Sequence, residues 1–217
     1  MKRFRLPRLR LAVALGVAMT ASLSVAYAAS LGLGSNKLFA WSQTLTKGTC
    51  NQTSTTADDT YVQQALPTST AGASATTLTI SPVAAAQDYA FIRFNLSGCS
   101  LPTTAGADSA VLTVNVRTAG ADTISLFPVT SSWSSSSLTW NGVSGLTIGS
   151  TATGSFSASS TGTKTVTVTA DVDNAIKAGN LWGWELRATS GTAIVAIGAA
   201  ENGTSANRPS MTLSYEK

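Results

Sequence analysis

The chain has 217 residues, 14 Lys and Arg against 10 Asp and Glu, a formal net charge of +4, and no histidine. The missing imidazole excludes Ser-His-Asp and Cys-His nucleophile systems and the usual nitrogen-ligated zinc centre. The length suits one domain with a proper core.

The positive charge is concentrated at the start, where Lys2, Arg3, Arg5, Arg8 and Arg10 precede an apolar run over residues 11–25. A basic head, an apolar middle and the small-residue exit Ala26-Tyr27-Ala28 read as a secretory signal peptide over residues 1–28. An uncleaved anchor is the alternative, because residues 11–28 approach the length that spans a bilayer. Cleavage after Ala28 leaves nine basic and ten acidic side chains. The case for nucleic acid binding then disappears, and no membrane association is expected of the mature chain.

Residues 29–56 form a leading strand or a tether. Leu38, Ala40 and Ser42 alternate there against Phe39, Trp41 and Gln43, and Cys50 argues for attachment. Cys50 and Cys99 are the only cysteines, both in the exported part, and are expected to be bonded. Two buried free thiols are the alternative.

From residue 57 to 217 the composition is rich in Thr, Ser, Ala, Gly and Val, which favours half-buried strands over helices. Strands are expected at 60–66, 76–80, 88–96, 110–116, 123–129, 163–169, 182–188, 192–199 and 210–215. In the third, Ala90, Ile92, Phe94 and Leu96 make the core face and Tyr89, Phe91 and Arg93 the other face. In the fourth, either Leu112, Val114 and Val116 or the offset set Val111, Thr113 and Asn115 faces inward. Turn residues such as Gly120, Asn141-Gly142, Gly179-Asn180 and Ser190-Gly191 separate the segments. Only residues 170–178 read as helical, with Asp171 or Asp173 capping or opening the turn and Gly179 as the stop. The expected fold is all-β: a two-sheet antiparallel sandwich of the jelly-roll kind with at most one short helix.

Without histidine or a free thiol, paired carboxylates are the remaining enzymatic route. Most of the acids sit at strand starts or turns, where a carboxylate ordinarily accepts backbone N–H bonds, so no catalytic residue is assigned. A structural Ca²⁺ held by Asp58, Asp59 and Glu201 is an expectation of the acid pattern. Its alternative is that Asp59 and Glu201 pair with Arg93 or Arg187. Among the tryptophans, Trp133, Trp140 and Trp184 are expected in the core, and Trp41 and Trp182 as exposed platforms for sugar rings.

Several segments, in order, resemble the secreted DNRLRE-domain proteins, a group related to carbohydrate-binding modules. They are Ala57-Asp-Asp-Thr-Tyr-Val62, Phe91-Ile-Arg-Phe-Asn-Leu-Ser97, Ser109-Ala-Val-Leu112, the stretch WSSSSLTWNG at 133–142, residues 168–172, and the ending from Glu201 through Arg208-Pro209 to Tyr215. The resemblance implies a jelly-roll sandwich in proteins of the cell surface, some binding acidic polysaccharide such as alginate. It implies a structural role for Trp133, Trp140 and Arg93, and Glu201 matches the family's late glutamate. The chain departs from the pattern in having Asn95 in place of an aspartate, no proline near Trp140-Asn141-Gly142, and the Cys50 and Cys99 pair. A polyuronate would need a basic groove, for which Arg93, Arg187, Lys164 and Arg117 are the candidates.

The resulting expectation is a secreted, non-catalytic polysaccharide-binding domain at the cell surface or in the matrix, with Trp182, Trp41, Arg187, Lys164 and Arg117 as ligand contacts. Its rival is a structural subunit of a surface or matrix assembly that packs edge to edge through residues 38–45.

Overall fold

A computed structural model describes residues 47–53, 57–101 and 105–216. The signal-peptide segment, Trp41 and the alternating stretch at 38–45 lie outside these residues.

Two antiparallel sheets face each other across an apolar interior. The first sheet contains β1 (Lys47–Gln52), β3 (Thr77–Ile80), β5 (Ala107–Thr118), β8 (Gly162–Thr167), β10 (Val195–Gly198) and β11 (Ser210–Glu216). The second runs β2 (Ala57–Gln63), β4 (Asp88–Phe94), β9 (Trp184–Ser190), β6 (Thr123–Pro128) and β7 (Gly154–Ser157). From β1 to β6 the chain changes sheet at every connection, the winding expected of a jelly roll. A single helical turn, α1 (Trp140–Val143), and one longer helix, α2 (Thr169–Ala178), complete it.

Period-two patterning explains the inner faces. On β5, Ala110, Leu112, Val114 and Val116 are buried, while Val111, Thr113 and Asn115 lie on the outer side; this resolves the two readings of that segment. The strand is long because β8 pairs along one edge while β11 and β10 share the other. Ala90, Ile92 and Phe94 of β4 are buried inward, as expected. Each large apolar side chain so buried contributes about 1.5–3 kcal/mol.

The outer face of β4 departs from expectation. Phe91 is fully buried, because the β6–β7 connection folds back over the second sheet and forms a separate small core. Val129, Trp133 and Leu138 cover Val62 and Phe91 there, with the Trp133 and Phe91 rings edge to face at 5.7 Å. Trp140 stands at the margin of this cluster, half-buried, its ring 4.8 Å from that of Tyr89. The second face of this sheet is thus half core, a consequence of chain about 40 residues downstream of β4.

The helix also differs in its cap. Neither Asp171 nor Asp173 closes its N-terminus. Asp171 instead accepts hydrogen bonds from the buried indole of Trp184, at 2.7 Å, and from the Thr153 hydroxyl, which ties α2 to the core. Asp173 accepts from the Ala107 amide and pairs with Lys177. Gly179, at φ +80°, ends the helix as expected.

Cys50 on β1 is bonded to Cys99, in the loop after β4. Gln52, almost wholly buried, covers the bond, with its amide nitrogen 3.0 and 2.9 Å from the two sulfurs. β7 is not expected from the sequence and has one inward apolar residue, Phe156, whereas β1 falls within residues 29–56, the expected leading strand or tether, but has no alternating apolar run; pairing with β6 and with β11, respectively, makes them strands.

Candidate functional site

The ends of β2 and β4, the 95–101 loop, the C-terminal half of α2 and the 179–182 loop enclose a groove of about 800 Å³. A smaller cavity of about 250 Å³ lies between α2 and residues 128–130. Leu181 and Trp182 line both, so the segment carrying Trp182 forms the partition between them.

Gly183 puts the tryptophan there. It adopts φ +75°, and a Cβ at that position would lie 2.0 Å from the carbonyl oxygen of Ile92 and 2.6 Å from the Cα of Arg93. Only glycine allows this loop to lie directly on β4. The Gly183 carbonyl accepts the Val129 amide at 2.9 Å, and the Trp182 carbonyl accepts the Trp133 indole N–H at 2.7 Å. Gly183→Ala is therefore expected to destabilise the fold by about 2 kcal/mol from strain and displaced backbone. Chemical denaturation checks this, and an unchanged midpoint would contradict the close packing.

Arg93 lies over two rings, its guanidinium carbon 5.1 Å from the centroid of Trp133 and 5.4 Å from that of Trp182. Its Nε and Nη2 donate to one oxygen of Asp58, at 2.9 and 2.5 Å. The cross-strand register of β2 and β4 places those two residues opposite each other. The half-buried indole, the charged pair and the amides of Asn95 and Asn180 make the groove wall partly apolar and partly hydrogen-bonding. Such a surface matches a sugar ring, whose C–H face is apolar and whose rim carries hydroxyls.

A second arginine cluster lies at the other end of the β4 outer face. Arg187 donates through Nε and Nη2 to both oxygens of the fully buried Glu185, at 2.5 Å each. Its guanidinium carbon is 4.9 Å from the Tyr89 ring centroid and 5.0 Å from that of Phe127. Burial raises the Glu185 carboxyl above its ordinary pKa and the arginine opposes that shift.

Of the residues expected at a site, Trp182 lines the groove together with Arg93, whereas Arg187 belongs to the separate cluster. Lys164 and Arg117 lie on β8 and β5 of the first sheet, donate to Ser160 and Asn207, and line neither cavity. Trp133 and Trp184 are buried as expected, and Arg93 has structural partners but also faces the groove. Asn95 and Asn180 carry no site expectation from the sequence, and Asp58, expected as a Ca²⁺ ligand, lines the groove instead. The outward position of Asp58 next to Arg93 emerges only once β2 and β4 are in register.

Asp58 leaves the expected acid constellation, whereas Asp59 remains next to Glu201. Asp58 and Asp59 are adjacent on one strand and so face opposite sides: Asp58 meets Arg93, while Asp59 is buried and accepts the Ala200 amide at 2.8 Å. The alternative pairing is not formed either, since Arg93 takes Asp58 and Arg187 takes Glu185. Among the described residues no group of three or more His, Cys, Asp or Glu side chains is arranged to hold a metal ion.

One oxygen of Asp59 has no hydrogen-bond partner. Burial pushes its carboxyl up to about 8, partly opposed by the Ala200 amide and reinforced by the negative charge of Glu201. The folded state thus holds this proton more tightly than the unfolded chain, so its contribution to stability is present at acid pH and is lost as pH rises through about 8. Melts between about pH 4 and 8, from the ordinary aspartate pKa to the raised one, should show stability falling with pH. The Asp59→Asn variant should show a flatter profile, and equal slopes in both proteins would refute the assignment.

The sequence model of carbohydrate-binding module family 96 matches residues 51–215. A search of curated proteins returned no match. The match starts within β1 and ends within β11, so it covers the two-sheet sandwich from its first strand to its last, and on that basis the chain belongs to carbohydrate-binding module family 96.

Proposed function

We propose that this protein is a secreted, non-catalytic module that holds a polysaccharide in the groove beside Trp182, at the cell surface or in the surrounding matrix. The carrying observation is the half-buried Trp182 ring at the groove wall, fixed by Gly183 and lying against Arg93, in a member of a carbohydrate-binding family. Export is supported by the N-terminal pattern of basic head, apolar run and Ala-x-Ala, and by the disulfide, which persists in oxidising compartments.

Binding needs no reacting group. An indole face stacks on the apolar side of a pyranose, the Asp58 carboxylate accepts from hydroxyls, and the Asn95 and Asn180 amides donate or accept. The test is affinity electrophoresis of the protein, expressed from the full-length chain, in gels containing single polysaccharides. Retardation by one of them, lost in Trp182→Ala, is the expected result. Migration unaltered by every polysaccharide tried would overturn the proposal.

A further inference from the structure

We infer that the groove selects neutral polysaccharides over polyuronates and other polyanions, because Arg93 at its wall and Lys177 on the helix that lines it are already paired with the protein's own carboxylates. The inference rests on the groove reading above and names its ligand class.

Charge compensation is the observation that carries it. The edge of Arg93 formed by Nε and Nη2 is occupied by Asp58, and its guanidinium carbon lies over the rings of Trp133 and Trp182. Arg187, in the separate cluster on the same sheet face, has the same edge occupied by the two oxygens of Glu185 and its guanidinium carbon over the rings of Tyr89 and Phe127. On α2, whose C-terminal half lines the groove, Lys177 pairs with Asp173 at 2.6 Å. On β1, Lys47 pairs with Asp108 at 2.7 Å. Lys164 and Arg117, which bond to neutral side chains, belong to the first sheet and do not line the groove.

A polyanion gains affinity by meeting a run of uncompensated cations and displacing its own counterions, and such binding weakens steeply with salt. The groove offers no such run among the described residues. A uronate bound beside Arg93 would instead approach the Asp58 carboxylate, which is about as exposed as the arginine it neutralises, at 30% against 24%. Hydroxyl groups suit the same wall better. Each hydroxyl both donates and accepts, and the groove presents a carboxylate acceptor, a guanidinium donor and two amides around an indole face. The two arginine clusters are rigid hydrogen-bonding stations rather than an electrostatic trap.

The experiment compares retardation of the protein from the full-length chain in gels of neutral polymers, such as a mixed-linkage glucan and a galactomannan, with gels of polygalacturonate and alginate, at low and high salt. The expected result is retardation by a neutral polymer that persists at high salt, with none by the polyuronates. Retardation by a polyuronate that disappears at high salt, and that Trp182→Ala removes, would overturn the inference while leaving the groove reading intact. Retardation by no polymer would overturn the groove reading and the inference with it.

A second arm uses Asp58→Asn, which frees the Arg93 charge. A folded variant is expected to gain retardation by polyuronate at low salt, by an increase in relative affinity of about tenfold or more. A folded Asp58→Asn protein that ignores polyuronate as wild type does would also overturn the inference. If the substitution prevents folding, the wild-type comparison decides alone.

Discussion

Trp182→Ala is expected to weaken polysaccharide binding about thirtyfold, the equivalent of roughly 2 kcal/mol, the scale of a buried aromatic anchor. The ring is half-buried and forms part of both cavity walls, so its removal takes away the largest flat apolar surface of the groove. The variant also loses one of the two rings that hold Arg93. Stability should fall by about 1–2 kcal/mol, from a cation–π contact and partial burial. Trp182→Phe, which retains an aromatic face, should recover a large part of the affinity. Titration by calorimetry with a polymer that retards the wild-type protein separates the two losses. Equal affinity in wild type and Trp182→Ala would move the binding surface elsewhere, the Arg187 cluster beside Tyr89 being the next place to mutate.

Loss of the disulfide is expected to have the largest effect on stability. Cys50 and Cys99 are 49 residues apart, and closing a loop of that length removes unfolded-state entropy worth about 4 kcal/mol on the chain-entropy model. The Cys50→Ala, Cys99→Ala double variant should lose a comparable amount in denaturant melts. Its consequences should be local as well. β1 is the outermost strand in the described order of its sheet, and the loop containing Cys99 is a wall of the groove. The double variant should therefore show faster amide exchange in Lys47–Gln52 and reduced polysaccharide affinity. A loss below about 1 kcal/mol would mean that packing of β1 on β11, rather than the cross-link, secures that edge.

The strands were legible where alternation is strong. Ala90, Ile92 and Phe94 declare the inner face of β4, and the same rule finds β5 and β11 within a few residues. The same rule separates Asp58 from Asp59: neighbours on a strand cannot share a face, so the two cannot both turn toward Glu201. The outer face of β4 was not legible. Phe91 looks like a solvent-facing residue in its own segment, and only the return of Trp133 and Leu138 over the sheet buries it. In the same way, Asp171 reads as a helix cap in its own segment, yet it lies in the first turn of α2 and the indole of Trp184 takes its carboxylate.

By itself, the sequence determined the β composition, the alternation of the inner faces, the absence of imidazole chemistry and the availability of two cysteines to one another. These follow from residue type and from a period of two along a single strand, both local properties of the chain. Tertiary structure decided the site. The groove gathers residues from β2, the end of β4 and its following loop, and the 175–182 segment, parts of the chain separated by tens of residues. Their meeting depends on strand register, on Gly183 lying against the backbone of β4, and on which carboxylate reaches which arginine. Each is a pairwise, long-range choice that is settled only when the sheets are assembled, because pairing of the strands creates the neighbours that no single segment contains.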